Sequence, residues 1–407
     1  MKVDYIALSI PIFFILIGIE LLVAYLTKRE LYRFNDSITN ISLGIGQQIT
    51  GIFMRTTIFF GYMFLYNNYR HWQVSNSLFN WVLLFFAVDF FYYWFHRLSH
   101  EINAMWAAHI VHHQSEEYNL SVALRQSWFQ SAFSWAFYLP LAIVGFEPVM
   151  FLTISAFNTL YQFWIHTRTI NKMGFLELFM NTPSHHRVHH GSNPKYLDKN
   201  HAGTLIIWDR MFGTFQVEEE EPVYGITKPL TSWNPVWANF HYWQEMLDIA
   251  AHSHKISDKI KIFLKPPGWK PKELGGREIP QEIDTSNYIK YDLQPTQKAW
   301  NLYVLFLFVL CLVVATLVLF MQKFLNPFEL IIASVFVIFT LVNCGGILEN
   351  KTWLKPAEFV RIAFVLVGSL IFYQQNKFYL ILSLSWISAL LSAIIFIVLL
   401  RQKIKTF

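Results

Sequence analysis

The sequence of 407 residues has few cysteines and few charged side chains. Its two cysteines, Cys311 and Cys344, both lie in apolar runs, which argues against a disulfide framework and against a thiolate metal site. Only 14% of the residues are charged, too few for a soluble protein of this length. No tract of basic and aromatic residues indicates nucleic-acid binding, so we expect no nucleic-acid partner.

Apolar residues are in excess, at 54% hydrophobic and 18% aromatic, and predict an all-α, multi-pass membrane protein. We predict nine spans, near residues 5–27, 41–66, 78–95, two within 127–165, 299–321, 327–347, 357–375 and 378–400. The stretch "YLPLAIVGFEPVM" breaks the pair within 127–165, which either crosses twice or forms a re-entrant hairpin. The first run is too long for a signal peptide and is expected to be retained.

Basic residues orient the predicted spans. Lys28, Arg29 and Arg33 follow the first span, and Arg401 and Lys403 follow the last. The positive-inside rule then places the N-terminus outside and the histidine-rich middle in the cytoplasm. A bacterial inner membrane and the endoplasmic reticulum membrane are both compatible with this topology. The acidic run at 218–221 is expected to be a solvated loop.

Histidines are concentrated in one part of the chain. Of the fifteen, ten lie in the stretches "HRLSH", "HIVHH", "WIHT" and "SHHRVHH". They are His96, His100, His109, His112, His113, His166, His185, His186, His189 and His190. Spacings of three and four residues place such side chains on one helix face. Clusters of imidazole without cysteine predict a nitrogen-rich metal site.

The number of histidines indicates two metals, because one ion accepts at most about six ligands. Structural zinc accounts for the number poorly, and a haem pair would place single histidines deep within different spans. Iron with open positions can activate dioxygen and attack a C–H bond, so the pattern favours hydroxylation or desaturation of a membrane lipid. A histidine-rich metal transporter would carry ligands through its spans, yet the runs after residue 299 contain no histidine. The sequence also leaves open a structural protein that binds metal but no longer has catalytic turnover.

The quoted motifs match the HxxxH, HxxHH, HxxHH pattern of the fatty acid hydroxylase and sterol desaturase superfamily. The longer stretches "HRLSHEINAMWAAHIVHHQSEEYNLSVALRQS" and "NTPSHHRVHHGSNPKYLDKNHAGTLIIWDRMFGTF" resemble the alkylglycerol monooxygenases within it. This resemblance implies four regions: N-terminal spans (1–77), a di-iron catalytic region (78–220), a cytoplasmic soluble segment (221–298) and a four-span bundle (299–407). It covers residues 80 to 220 most strongly.

The resemblance also implies cofactors and ligands. Two irons, O2 and tetrahydrobiopterin, or another redox partner as electron donor, would cleave an ether lipid to a fatty aldehyde and a glycerol derivative. No pterin-binding motif is readable, and zinc is the alternative metal on purification. Sterol, carotenoid or fatty acyl hydroxylation or desaturation is the alternative reaction. The ligands implied are His96, His100, His109, His112, His113, His166, His186, His189 and His190.

Other polar residues have weaker roles. Asp89, Glu101, His185 and Asn119 are candidates for hydrogen bonding to a metal-binding histidine, with pairing to a cation the alternative for Asp89 and a solvated face for Glu101. Arg125 and Gln126 are candidates for holding a lipid headgroup, with snorkelling as the alternative for Arg125. Four further residues are expected to order the loop that carries the last motif, through a buried salt bridge: Asp198, Asn200, Asp209 and Arg210.

Overall fold

The computed structural model describes residues 5–281, 288–292, 298–376 and 379–405. These residues form helices, turns and loops, with no strand among them and one isolated antiparallel bridge between Gly191 and Tyr224. The α-helices are α1 (Tyr5–Thr27), α2 (Phe34–Tyr69), α3 (Leu78–Glu101), α4 (Asn103–Ala107), α5 (Ile110–His113), α6 (Ser131–Val144), α7 (Pro148–Trp164), α8 (Pro183–His189), α9 (Ile207–Phe212), α10 (Pro235–His252), α11 (Ile256–Leu264), α12 (Lys298–Met321), α13 (Pro327–Leu348), α14 (Leu354–Asn376) and α15 (Tyr379–Lys405). The predicted all-α fold is confirmed.

Five of the described helical stretches are long and apolar enough to cross a membrane. They are Ser9–Thr27, Leu78–Glu101, Lys298–Phe324, Pro327–Leu348 and Ser383–Arg401. The bent helix α2 makes a sixth if its two parts, Phe34–Met54 and Ile58–Tyr69, form one span. Residue 378, where we predicted the last span to start, lies outside the described residues.

Helices α6 and α7 lie in the pair predicted within 127–165, for which two crossings and a re-entrant hairpin were both open. At 14 and 17 residues, they extend over only about 21 and 26 Å, less than the roughly 30 Å of a hydrocarbon core. The turn between them needs Gly145, whose φ is +110° and where a Cβ atom would lie 1.9 Å from the carbonyl oxygen of Trp72. These lengths favour the re-entrant hairpin over two crossings.

Helix α3 carries the first histidine motif into the protein interior. Its N-cap is Ser77, whose hydroxyl accepts a hydrogen bond from the backbone N–H of Asn80. Its buried stripe includes Asp89, Tyr93 and His96, spaced by four and three residues and so on one face. His100 continues this stripe in the last turn, which places both motif histidines at the end of a candidate span.

The chain divides into two compact units. The first consists of Met1–Leu230 and Asn239–Lys290, and it contains all the histidines of the motifs. Within it α2, α3, α6 and α7 pack together. Their shared apolar core consists of Tyr62, Leu84, Val88, Leu141, Ala142, Phe146 and Met150. This core fixes the two helices, α3 and α7, whose C-terminal ends lead into histidines.

The second unit consists of Thr231–Ala238 and Tyr291–Phe407. In it, α12 packs against α13 and α15, and α14 packs against α13 and α15. One buried ion pair lies within these helices, where Arg361 donates to Glu358 over 2.6 Å and Tyr303 donates to the same carboxylate. The boundaries of the four sequence regions stay predictions.

Candidate metal centre

The nine histidines implied as metal ligands are all buried, and the structure brings them together in two groups. Within each group, the candidate ligand nitrogens lie within 4.8 Å of one another. The five-histidine group consists of His96, His100, His109, His113 and His189. The four-histidine group consists of His112, His166, His186 and His190. The two groups adjoin, because the rings of His113 and His190 stack with centroids 4.5 Å apart.

Four separate segments supply these side chains. The C-terminal end of α3 supplies two, and α5 with the residue before it supplies three. His166 lies two residues beyond the end of α7, and α8 with the residue after it supplies the last three. No segment gives more than two histidines to either group, so the groups exist only in the folded chain.

The four-histidine group shows why a cation fits there. Nδ1 of His112 lies 2.9 Å from the carbonyl oxygen of Arg125, and Nδ1 of His166 lies 2.7 Å from that of Gln162. A carbonyl can only accept, so both Nδ1 atoms carry the proton, and in the neutral rings both Nε2 atoms are lone pairs. These two Nε2 atoms face each other over 3.2 Å. Two opposed lone pairs repel unless a cation lies between or beside them.

Carbonyl oxygens also orient rings in the five-histidine group. Nδ1 of His96 lies 2.7 Å from the carbonyl oxygen of His201, and Nδ1 of His189 lies 2.9 Å from that of Lys199. Protonation of Nδ1 leaves Nε2 free to bind a metal, a common arrangement around metal-ligating histidines. On His109, Nδ1 faces the amide oxygen of Gln130 over 3.0 Å. The Nδ1 atoms of these three rings, the outer nitrogens, are therefore hydrogen-bonded. Their Nε2 atoms, the inner nitrogens, are left to bind a metal.

Several inner nitrogens have no hydrogen-bond partner among the described residues. They include Nε2 of His100, His189 and His190, all buried. A buried polar atom without a partner costs on the order of 1–3 kcal/mol, so such atoms seldom cluster without a function. The residues present therefore fit two metal ions, one in each group.

Burial sets the charge of these imidazoles. It lowers the pKa of His112 to about 4 and holds the pKa values of His113 and His190 well below 6.5, with neighbouring histidines adding to the shift. Burial also holds the pKa values of His186 and His189 well below 6.5. The rings are thus neutral at pH 7, which is the form that binds metals.

An ion pair anchors the helix that carries the last motif. Arg187 lies between the histidines of α8, and its guanidinium donates to both carboxylate oxygens of Glu218, over 2.6 and 2.7 Å. Its remaining nitrogen donates to the carbonyl oxygens of Thr167 and Ile170, next to His166. Glu218 belongs to the acidic run predicted as a solvated loop, yet its side chain is only 14% exposed. The prediction is wrong for this residue, because Arg187 holds it against the site.

Comparison with known proteins gives the family. Residues 81–214 match the fatty acid hydroxylase family, and this stretch contains all nine histidines. Alkylglycerol monooxygenase of Xenopus tropicalis is 38% identical over 362 residues, covering 88% of this chain and 80% of that protein. The human alkylglycerol monooxygenase is 38% identical over 361 residues, covering 86% and 78%.

This chain belongs to the alkylglycerol monooxygenase family. It is therefore an oxygenase, as its histidine motifs predict. A shorter similarity, 30% identity over 135 residues, links it to the ornithine lipid hydroxylase of Rhizobium tropici and covers 33% of this chain and 41% of that one. No solved structure matches.

Asp89 is held by neutral hydrogen-bond donors and has no histidine among its partners. Asp89 is buried and accepts hydrogen bonds from Asn158 Nδ2 over 2.7 Å and from the backbone N–H of Thr204 over 2.8 Å. Two further N–H groups, of Leu205 and Trp208, complete its contacts. The prediction of a histidine or cationic partner is corrected, because four neutral donors occupy the carboxylate. Asp89 anchors the loop that follows the last motif.

Three other candidates also lie away from the metal-binding nitrogens. Glu101 pairs with Arg97 over 2.8 Å and is 40% exposed, which matches the solvated alternative. Asn119 is buried and donates to the carbonyl oxygen of Leu31. The Nδ1 atom of His185 lies 3.2 Å from the carbonyl oxygen of Met180, and its ring contacts Phe215. None of these contacts reaches a histidine of either group.

The headgroup prediction is wrong for Arg125, and for Gln126 it stays a prediction. Arg125 is buried, and its guanidinium donates to Val111 O, to Asn40 Oδ1 and to Gln114 Oε1 over 2.7, 2.9 and 2.8 Å. Because its guanidinium binds these internal acceptors, Arg125 neither contacts a lipid headgroup nor snorkels to the membrane surface. Gln126 is half-buried and donates to the carbonyl oxygen of Ala123.

Neutral hydrogen bonds, and not the predicted buried salt bridge, fix the segment around Asn200 and Asp209 that follows the last motif. Asp209 accepts from the backbone N–H groups of His201 and Ala202, both over 2.8 Å. Asn200 donates to the carbonyl oxygens of His185 and Gln216. Asp198 lies 3.5 Å from Nδ1 of His100, and Arg210 donates to the carbonyl oxygen of Glu177.

One buried histidine at the site escaped the sequence analysis. His201 is fully buried, and its ring centroid lies 5.0 Å from that of His100. It stands alone in the sequence, eleven residues after His190 and outside any helix, so no helical spacing pointed to it.

Proposed function

We propose that this chain is a membrane di-iron monooxygenase that hydroxylates the ether-linked carbon of an O-alkylglycerol, with O2 and a reduced pterin as co-substrates. The observation that carries the proposal is the pair of adjoining groups of neutral histidines with unpaired inner nitrogens. The substrate follows from the relatives named alkylglycerol monooxygenase. The five-histidine and four-histidine groups would each hold one iron.

The stoichiometry of this hydroxylation defines the oxidant and the electron donor that it needs. One oxygen atom of O2 enters a C–H bond next to the ether oxygen, and the other atom leaves as water with two electrons and two protons from the donor. Iron held by nitrogen ligands supplies the oxygen activation. The hemiacetal product then breaks its C–O bond, which gives a fatty aldehyde and a glycerol derivative. Tetrahydrobiopterin is the proposed two-electron donor.

The chain's own residues prepare the site for this reaction. Backbone carbonyls hold the Nδ1 protons of His96, His112 and His166, so each Nε2 is aimed inward as a lone pair. Complete burial excludes bulk water from the two groups, which protects reactive species from side reactions. His100 lies in the last turn of a candidate span, so an alkyl chain embedded in the bilayer could reach the site without leaving the lipid.

The ion pairs of Arg33 support the proposed cytoplasmic orientation of the site. Arg33, from the basic run after the first span, pairs with Glu117 over 2.7 Å and with Glu116 over 3.2 Å, just beyond the second motif. The histidine groups therefore lie at the same end as that basic run. By the positive-inside rule this end is cytoplasmic, in a bacterial inner membrane or the endoplasmic reticulum membrane.

The test is a product assay on membranes that contain the iron-loaded chain. Incubation with an alkylglycerol should release fatty aldehyde with tetrahydrobiopterin and much less without it. His186→Ala, which removes one nitrogen of the four-histidine group, is the inactive control. Failure to form aldehyde with any reductant, together with hydroxylation of a sterol, carotenoid or fatty acyl chain, would establish the alternative reaction of the superfamily.

A further inference from the structure

His201 lies beside the five-histidine group without belonging to it. Its ring centroid lies 5.0, 5.7 and 5.8 Å from those of His100, His189 and His96. Neighbouring rings inside the group lie at similar distances, from 4.4 Å for His96 and His189 to 5.4 Å for His96 and His100. Its nitrogens are nevertheless outside the set that lies within 4.8 Å of one another. His201 therefore borders the group at its edge.

The backbone of His201 is fixed, while its ring lacks partners. The backbone N–H donates to Asp209 over 2.8 Å, and the carbonyl oxygen accepts from His96 Nδ1 over 2.7 Å. Both ring nitrogens are buried, and neither makes a hydrogen bond of normal geometry within the described part of the chain, although the backbone of Asp198 lies close to the ring. A ring held in place with both polar atoms unpaired is costly, so a partner from outside the chain is expected.

The His201 ring has a proton to donate. An imidazole carries one N–H donor when neutral and two when protonated. It can therefore donate to a small ligand that carries negative charge.

Five imidazoles around one metal leave a single position of a six-coordinate shell for an outside ligand. We propose that His201 donates a hydrogen bond to the exogenous ligand that occupies this position in the five-histidine group. The inference rests on the proposed two-metal site and adds to it a residue that touches the reacting ligand. It predicts that His201 strengthens the binding of small anions without holding the metal.

His185 provides a matched control. It is also buried, and it lies on the helix of the last motif. Its Nδ1 atom, however, has the carbonyl oxygen of Met180 at 3.2 Å, and its ring contacts Phe215. Replacing it removes a buried imidazole without removing one that borders the five-histidine group.

The experiment measures azide binding to the full-length, iron-reconstituted protein in nanodiscs, after chemical oxidation of its iron to the ferric state, by the visible azide-to-iron charge-transfer absorption. His201→Phe should retain two irons per chain and bind azide about tenfold more weakly or worse, as expected for one lost hydrogen bond to an anion. His201→Gln, which restores an N–H donor, should recover most of the affinity. His185→Gln should bind azide as the wild-type protein does.

Three results would overturn the inference. Unchanged azide affinity in His201→Phe would remove the donor role, and loss of one iron would make His201 a direct ligand. Wild-type protein that holds fewer than two irons would reject the two-metal site itself. If His201→Phe does not fold, pulsed EPR of the wild-type nitric oxide adduct in H2O and D2O decides. An exchangeable proton near the bound ligand supports the proposal, and its absence contradicts it.

Discussion

The backbone carbonyl oxygen of Arg125 accepts a hydrogen bond from Nδ1 of His112, over 2.9 Å. The guanidinium of the same residue donates to the carbonyl oxygen of Val111, over 2.7 Å. One residue thus holds the second histidine motif from two directions. It fixes the proton position on His112 and the backbone immediately before that histidine.

Replacing Arg125 should therefore damage the metal centre. In Arg125→Met, three buried acceptors on Val111, Asn40 and Gln114 lose their donor, which should lower the free energy of unfolding by about 3 kcal/mol or more. Metal content should fall with it. Thermal unfolding and metal analysis measure both effects, with Gln126→Ala as a mild control. Full stability and metal content with a raised KM for the lipid would instead support a headgroup role.

Two adjacent histidines on α8 should respond differently to substitution. His186→Ala removes a nitrogen of the four-histidine group and should cost at least one metal per chain and nearly all activity. His185→Ala should retain both metals, because that ring contacts Met180 and Phe215. Metal analysis of the two purified variants makes the comparison. Equal metal loss in both would contradict the assignment of His185 outside the groups.

Eight of the nine histidines could be found in the sequence because their spacing is local, whereas His166 stands alone and came from the family resemblance. Side chains three and four residues apart lie on one face of a helix, so such repeats can be read from the sequence. The length of an apolar run indicates a membrane span equally directly. The partners of Asp89 and Arg125 could not be found, because Thr204 lies 115 residues from Asp89 and Asn40 lies 85 from Arg125. Only the tertiary fold creates these contacts. His201 was missed for the same reason.

The ion pair between Arg187 and Glu218 should contribute strongly to stability. Both side chains are mostly buried, so Glu218→Gln leaves a buried guanidinium with a weaker partner and should cost about 3 kcal/mol. Glu219→Gln, whose side chain is 56% exposed and pairs with Lys195, should cost less than about 1 kcal/mol. Chemical denaturation of both variants provides the measurement. Similar small losses in both would mean that the pair does not anchor α8.

Stability and metal retention should both depend on pH. Burial lowers the pKa of His112 to about 4 and holds that of His113 well below 6.5 in the folded chain. Below about pH 6.5 the unfolded chain binds protons that the folded chain does not, so the free energy of unfolding falls as the pH falls.

The same protons compete with the metal for the ring nitrogens. Protein dialysed at about pH 5.5 should therefore lose metal that it retains at about pH 7.5, and its unfolding temperature should drop in parallel. Metal analysis after dialysis, with calorimetry on the metal-free protein, separates the two effects. Equal metal retention at both pH values would contradict neutral imidazoles as the ligands.

The number of metal ions bound per chain tests the central claim most directly. Purified wild-type protein, reconstituted with ferrous iron under anaerobic conditions and freed of excess metal, should contain two irons per chain by elemental analysis. His189→Ala and His190→Ala, one from each group, should each contain about one. A wild-type value of one iron per active chain would contradict the two-metal site.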